Sequence, residues 1–366
     1  SAASDVYKRQ VSDFITKHHL IWIAAFLVLL YPAIHGNNNV EVYYNIDTSL
    51  PASLPSNKAN KELEEVFNMN TVHMVLMEKG LDGKEKSEML KEIEDVDGVQ
   101  WALGLNSFVG PSFPESMIPK DVRSLLESDN YELQFICSEY RSATNEVNKQ
   151  ISAIQDIVKK YSPKGMVIGE APLMKDLADV TDVDLKNVNV ISIAAIFVII
   201  MIVFKSISLP FILVAVIEFA IFVNMAVPYY QGITLPFVAG IVIGAIQLGA
   251  TVDYAILMTS RYQRERHLGK GKKEAISIAH RTSMKSIIIS GCSFFAATFG
   301  VGLYSQVDMI SSICTLLSRG AVISTVVVLL VLPAMFMIFD PIICHTSIGF
   351  LPEKEKNNPA GRSNKK

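Results

Sequence analysis

Charge is almost missing from one long stretch of this chain. Between residues 188 and 258 the only Asp, Glu, Lys or Arg side chains are Lys205, Glu218 and Asp253. So long a stretch with so little polar surface cannot form the core of a soluble domain. It reads as membrane, where each crossing needs about 20 mainly apolar residues. Cysteine is scarce too: Cys137, Cys292, Cys314 and Cys344 are the four. No pair suggests a disulfide and no spacing suggests zinc. The His18-His19 pair reads as interfacial, not as a metal site. There is no phosphate-binding glycine loop, no Ser-His-Asp arrangement in one compartment and no ATPase signature. These absences point away from an enzyme, a nucleotide-driven machine or a metal centre, and leave no bound cofactor to expect. The net charge of −3 gives no sign of a nucleic-acid partner.

An initiator Met is also lacking. Ser1 to Gln10 (SAASDVYKRQ) resembles a stretch found at the ends of chains translated from metagenome assemblies, so residues 1–10 are set aside as a non-native tail.

What is present is apolar sequence, 50% of all residues, concentrated in runs. His19–Ile34 is the first predicted span, within a segment 11–35. No small-residue cleavage site follows it, so it is not a signal peptide. A charged domain follows at 36–187. Five more spans lie within 188–340: Val188–Phe204, Leu209–Tyr229, Pro236–Met258, Ser283–Leu303, and one inside Ile310–Phe339. Residues 341–366 form a tail expected to be disordered. Six crossings return both ends to one side.

Lys and Arg in short loops set the orientation. Arg261, Arg264, Arg266, Lys270, Lys272, Lys273, Arg281 and Lys285 crowd the fourth connection. Lys205 sits in the turn after span two, and Lys354 and Lys356 follow span six. The turns at 230–235 and 304–309 have no Lys or Arg. The basic segment 261–282 and both ends are therefore expected to be cytoplasmic, with 36–187 outside. Gly271–Thr282 is expected to form a short helix on the inner leaflet, with Ala275, Ile276 and Ala279 on its apolar face. Its cations serve either anionic lipid or topology alone.

The outer domain has readable periodicity. Val72–Glu78, Val99–Leu105, Tyr131–Cys137 and Gly165–Gly169 read as strands. Lys84–Asp95 and Ala143–Tyr161 read as helices. A Pro-rich insertion carries Pro111, Pro114 and Pro119. The order β-α-β, β-α-β predicts a ferredoxin-like α+β domain. A last helix, Ala171–Lys186, leads into span two and would couple the domain to the bundle.

Ionisable groups inside the membrane are costly, about 2.5–3.5 kcal/mol each on insertion scales. Asp253, followed by Tyr254, lies in span four. Gly240, Gly244 and Gly249 give that helix a small-residue surface that neighbours or water can approach. Asp253 either relays protons or is held for packing by a hydrogen bond. Glu218, in span three, is either a second proton group or a polar contact inside the bundle. Arg319, beside Gly320 in span six, is either the counter-charge to Asp253 or Glu218, or snorkels to the outer headgroups.

These residues carry a resemblance. One span, an outer domain and five spans is similar to the half-repeat of the resistance–nodulation–division (RND) superfamily. Gly244-Ala-Ile-Gln-Leu-Gly-Ala-Thr-Val-Asp253-Tyr254, followed by Ser260-Arg-Tyr-Gln-Arg-Glu265, resembles the span-four signature of its MMPL branch. Arg319-Gly-Ala-Val-Ile-Ser324 with Val331-Leu-Pro-Ala334 is similar to span six. Tyr44-Asn-Ile-Asp47 with Leu54-Pro55 is similar to the segment after span one. The resemblance covers about residues 11–345. It implies export of lipids or other hydrophobic molecules across the bacterial cytoplasmic membrane, powered by the proton gradient. It assigns the relay to Asp253 and Tyr254.

Members usually carry two six-span halves whose Asp-Tyr pairs work together. The expected partners are thus membrane lipids, a hydrophobic substrate, and a second half, fused upstream or supplied by a second copy, with higher oligomers open. Two other functions fit the architecture: a lipid- or sterol-sensing regulator, and an auxiliary component of protein secretion. A sensor would not need a titrating Asp.

Overall fold

The computed structural model describes residues 2–45, 49–105, 107 and 120–350. Asp47, Pro111, Pro114, Pro119, Lys354, Lys356 and the tail beyond 350 lie outside the described residues. The chain forms two compact units, one of Tyr43–Val183 and one of Ser1–Val42 with Asp184–Lys366.

The larger unit is helical. It contains α1 (Ala2–Lys17), α2 (His19–Asn38), the part of α7 (Glu170–Phe204) from Asp184 onward, α8 (Ser208–Gln231), α9 (Val238–His267), α10 (Lys272–Tyr304) and α11 (Asp308–Thr346). Six of these, α2 and α7 to α11, are long and apolar enough to cross a membrane. Their outward faces carry Leu27, Val28, Ile199, Ile202, Phe299 and Leu303, all exposed. In water so much exposed apolar surface would be a liability; lipid makes it the stable arrangement. Helix α8 is the buried centre, with Leu213, Val216, Ile217 and Ala220 fully covered. It starts with Pro210 in its first turn, where a missing N–H is tolerated. It ends at Gly232, whose φ of 66° is the left-handed cap that glycine adopts without strain.

The expected inner-leaflet helix over 271–282 is not separate. It is the first third of α10, and Ala275, Ile276 and Ala279 are buried in the bundle core. No Gly or Pro breaks the chain at Thr282. The same face continues through Ser283 and Ile287 at helical spacing. Helix α1 packs alongside: Ser12 Oγ donates to Ser277 O at 3.0 Å. It begins within the stretch set aside as a tail.

The smaller unit contains α3 (Pro55–Phe67), β2 (Thr71–Glu78), α4 (Gly83–Glu94), β3 (Val99–Leu103), α5 (Lys120–Leu126), β4 (Tyr131–Ser138), α6 (Asn145–Tyr161) and β5 (Met166–Gly169). Two-residue strands β1 (Val42–Tyr43) and β6 (Leu235–Pro236) are the remaining elements among the described residues. Strands β2 to β5 form one sheet in the order β3-β4-β2-β5, with every neighbour antiparallel. Alternation in β2 points Thr71, His73, Val75 and Met77 inward. Val75 and Met77 meet Met89 and Ile93 of α4 and Ile154 and Val158 of α6 in one core. Each such burial contributes roughly 1.5–3 kcal/mol. Helix α4 starts in a capping box: Asp82 Oδ1 accepts from Gly83 N at 2.7 Å, and Glu85 Oε2 accepts from Asp82 N at 3.1 Å.

Candidate functional site in the helical unit

Helix α9 presents three different faces, and Gly240, Gly244 and Gly249 fall on two of them. Gly249 is exposed, and a Cβ there would meet nothing within 4 Å. Asp253, one turn on, is exposed on the same face. Among the described residues its carboxylate has no hydrogen-bond or ion-pair partner. Tyr254 is the next residue, about 100° round the helix, and is buried with 4% exposure. Acid and phenol thus point apart in this structure, and no hydrogen bond between them is present among the described residues.

Gly240 and Gly244 lie on a second face and line a cavity of about 370 Å³. Its other walls include Asn189 and Ser192 of α7 and Glu218 and Phe222 of α8. The glycines make the room: a Cβ on Gly244 would stand 2.9 Å from Asn189 Oδ1, and one on Gly240 would touch Leu185 at 3.6 Å. Glu218 is the sole ionisable side chain on the cavity wall among the described residues. It too has no hydrogen-bond or ion-pair partner there.

The third face of α9 enters a buried polar chain. Arg319 of α11 donates from Nε to Asn224 Oδ1 and from Nη2 to Asn224 O, both at 2.8 Å. Asn224 Nδ2 donates to Gln247 Oε1 at 2.7 Å. Gln247 Nε2 donates to Ser324 Oγ at 3.1 Å, and Thr251 Oγ1 lies 2.7 Å from the same oxygen. Asn224, Gln247, Thr251 and Ser324 are all at most 1% exposed. Buried amides and hydroxyls must find partners, and here they find one another across α8, α9 and α11. Arg319 is held by Asn224, not by Asp253 or Glu218. Gly320 is required beside it: a Cβ would come within 2.6 Å of Gln247 Oε1 and 2.7 Å of Asn224 Nδ2.

A fourth cluster lies at the other end of α9. Arg266 Nε stands 3.0 Å from Asp340 Oδ1, and Nη2 donates to Oδ2 at 3.2 Å. The Tyr262 hydroxyl donates to Asp340 as well. The Tyr262 ring, fully buried, stacks on Phe336 with centroids 4.7 Å apart. Tyr262 stands in the quoted span-four motif and Arg266 among the basic residues that follow it, but the sequence does not point to their partner. Asp340 falls just past the predicted span, and only the fold brings it 74 residues back to Arg266.

The MMPL family model matches residues 49–349. The chain is 27% identical over 256 residues to the membrane protein YdgH of Bacillus subtilis (strain 168), covering 69% of this chain and 28% of YdgH. It is 24% identical over 200 residues to "Probable transport protein MmpL9" of Mycobacterium tuberculosis (strain ATCC 25618 / H37Rv), covering 52% of this chain and 21% of that protein. It is 23% identical over 199 residues to "Siderophore exporter MmpL5" of Mycobacterium tuberculosis (strain CDC 1551 / Oshkosh), covering 52% of this chain and 20% of that protein. The chain therefore spans less than a third of the length of these relatives. With most of its residues inside the family match, this multi-pass membrane chain belongs to the MMPL family.

Proposed function

We propose that the chain is one half of an RND-type exporter that moves lipids or other hydrophobic molecules across the bacterial cytoplasmic membrane, driven by protons. The observation that carries this reading is Asp253, an unpartnered carboxylate on the open face of a membrane-length helix. A charge there is costly, and a carrier of protons is the function that needs it. A second half, fused or supplied by another copy, would meet the Gly249–Asp253 face, where the glycine allows close approach. Tyr254 would reach the acid after a turn of α9. The names of two relatives, a transport protein and a siderophore exporter, support the transport class.

The unit Tyr43–Val183 is read as the outer domain. Its strand order and antiparallel pairing support the ferredoxin-like reading: each β-α-β unit leaves a gap that a strand of the other unit fills. Basic residues at the Lys205 end of the bundle support a cytoplasmic placement of that end and of both termini. A lipid sensor would need the cavity but not an unpartnered Asp, so Asp253 favours the exporter.

The test is accumulation of a fluorescent lipid in inverted membrane vesicles carrying the protein with its second half. Uptake should follow an imposed pH gradient and stop when a protonophore is added. Uptake that ignores the gradient would reject proton coupling.

A further inference from the structure

We propose that Glu218 makes the cavity between α7, α8 and α9 selective for amphiphiles with a positively charged head. The inference rests on the exporter reading and names a substrate class for it. It starts from a mismatch. The cavity, about 370 Å³ in volume, falls in the size range of small-molecule sites, which are mostly apolar with a few placed polar groups. Its wall is apolar apart from Glu218 and a small set of neutral amides and hydroxyls, Asn189 and Ser192 among them. No Lys, Arg or His of the described wall offsets the carboxylate. In a membrane an acid without a cation is left to take up a proton or to attract a cation from outside the protein.

The geometry favours a ligand. Glu218 is ten residues along α8 from Ser208, which puts it about 15 Å from that end. The cavity runs from Glu218 along α8 through Phe222 and reaches Asn37, near the end of α2. An ammonium at Glu218 would leave its apolar body along Phe222 and over the bare backbone of Gly240 and Gly244. Asn189 and Ser192 supply neutral acceptors on the facing helix for remaining N–H groups. A sulfonate or phosphate head would meet like charge at close range in a medium of low dielectric. Glu218 then serves the ligand, and the proton chain is left to Asp253.

The experiment uses the full chain in nanodiscs of neutral lipid, with three fluorescent probes that share one alkyl chain. Their heads are trimethylammonium, hydroxyl and sulfonate, and Kd is read by fluorescence anisotropy. The cationic probe should bind at least about tenfold more tightly than the anionic one. Glu218→Gln should reduce that ratio to within about twofold, whereas Glu218→Asp should keep the preference. Gly240→Leu, which fills the cavity, should weaken all three probes. An unchanged ratio in Glu218→Gln overturns the proposal, and so does equal binding of the three heads by the wild type. No gradient or second half enters the assay. A transport failure with intact head selectivity would therefore count against the exporter reading alone, and lost selectivity with intact proton-driven transport against this inference alone.

Discussion

Arg319 and Asn224 are joined twice across the bundle, side chain to side chain and side chain to backbone, each at 2.8 Å. That pair anchors the chain of amides and hydroxyls running to Thr251, two residues before Asp253. If Asp253 takes up protons as proposed, the hydrogen bonds from Thr251 and Gln247 to Ser324 and Asn224 would carry the resulting bias on α9 to α8 and α11.

Breaking the chain should destabilise the bundle. Asn224→Leu leaves the guanidinium and Gln247 unmatched, at a cost of about 1–3 kcal/mol. Gly320→Ala should cost a comparable amount, because its Cβ must displace Gln247 or Asn224. Gly300→Ala, where a Cβ meets nothing within 4 Å, should stay within about 0.5 kcal/mol of wild type. Unfolding in mild detergent orders the three.

The Arg266–Asp340 pair should behave as a unit. Asp340→Leu alone strands the largely covered guanidinium and should cost about 3 kcal/mol or more. Arg266→Met with Asp340→Leu should cost less than the sum of the single changes. Tyr262→Phe should cost about 1 kcal/mol, one hydrogen bond to a carboxylate. A double-mutant cycle measures the coupling; strict additivity would show the pair to be independent.

The smaller unit carries a pH dependence. Burial pushes the His73 imidazole below its usual 6.5, partly opposed by its bond to Gln150 at 3.3 Å. Above 6.5 both folded and unfolded chains hold the ring neutral, and the stability is complete. As pH falls below that value, unfolded chains take up a proton that the folded unit resists. Stability should drop until the depressed folded value is passed. Hydrogen exchange of β2 amides in the full chain should show this loss, and His73→Gln should flatten it.

Much of the architecture is legible because its causes are local. Apolar runs of membrane length mark every span, and alternation in Thr71–Glu78 marks a strand. Helix α3 was not predicted although Ala59, Leu63, Val66 and Phe67 recur at helical spacing; the stripe is short, and in the structure none of its residues is buried. The inner-leaflet helix was misread because an apolar face looks the same whether lipid or protein covers it. Asp253, Glu218 and Arg319 were visible as ionisable groups in apolar sequence. Their surroundings were not: Arg319 meets Asn224 from 95 residues away, and the glycines of α9 face different neighbours only after the helices pack. Gln247, Thr251 and Ser324 all stand inside the quoted motifs, yet nothing local says that they share one chain of hydrogen bonds.

The role given to Asp253 is tested most directly by proton-driven uptake of a fluorescent lipid into inverted vesicles by Asp253→Asn, in the protein complete with its second half. The amide keeps the size of the side chain and removes its titration. Uptake should fall to the level of vesicles lacking the protein while the variant inserts and melts like wild type. Tyr254→Phe should retain part of the activity. Full gradient-dependent uptake by Asp253→Asn at wild-type abundance would contradict the account.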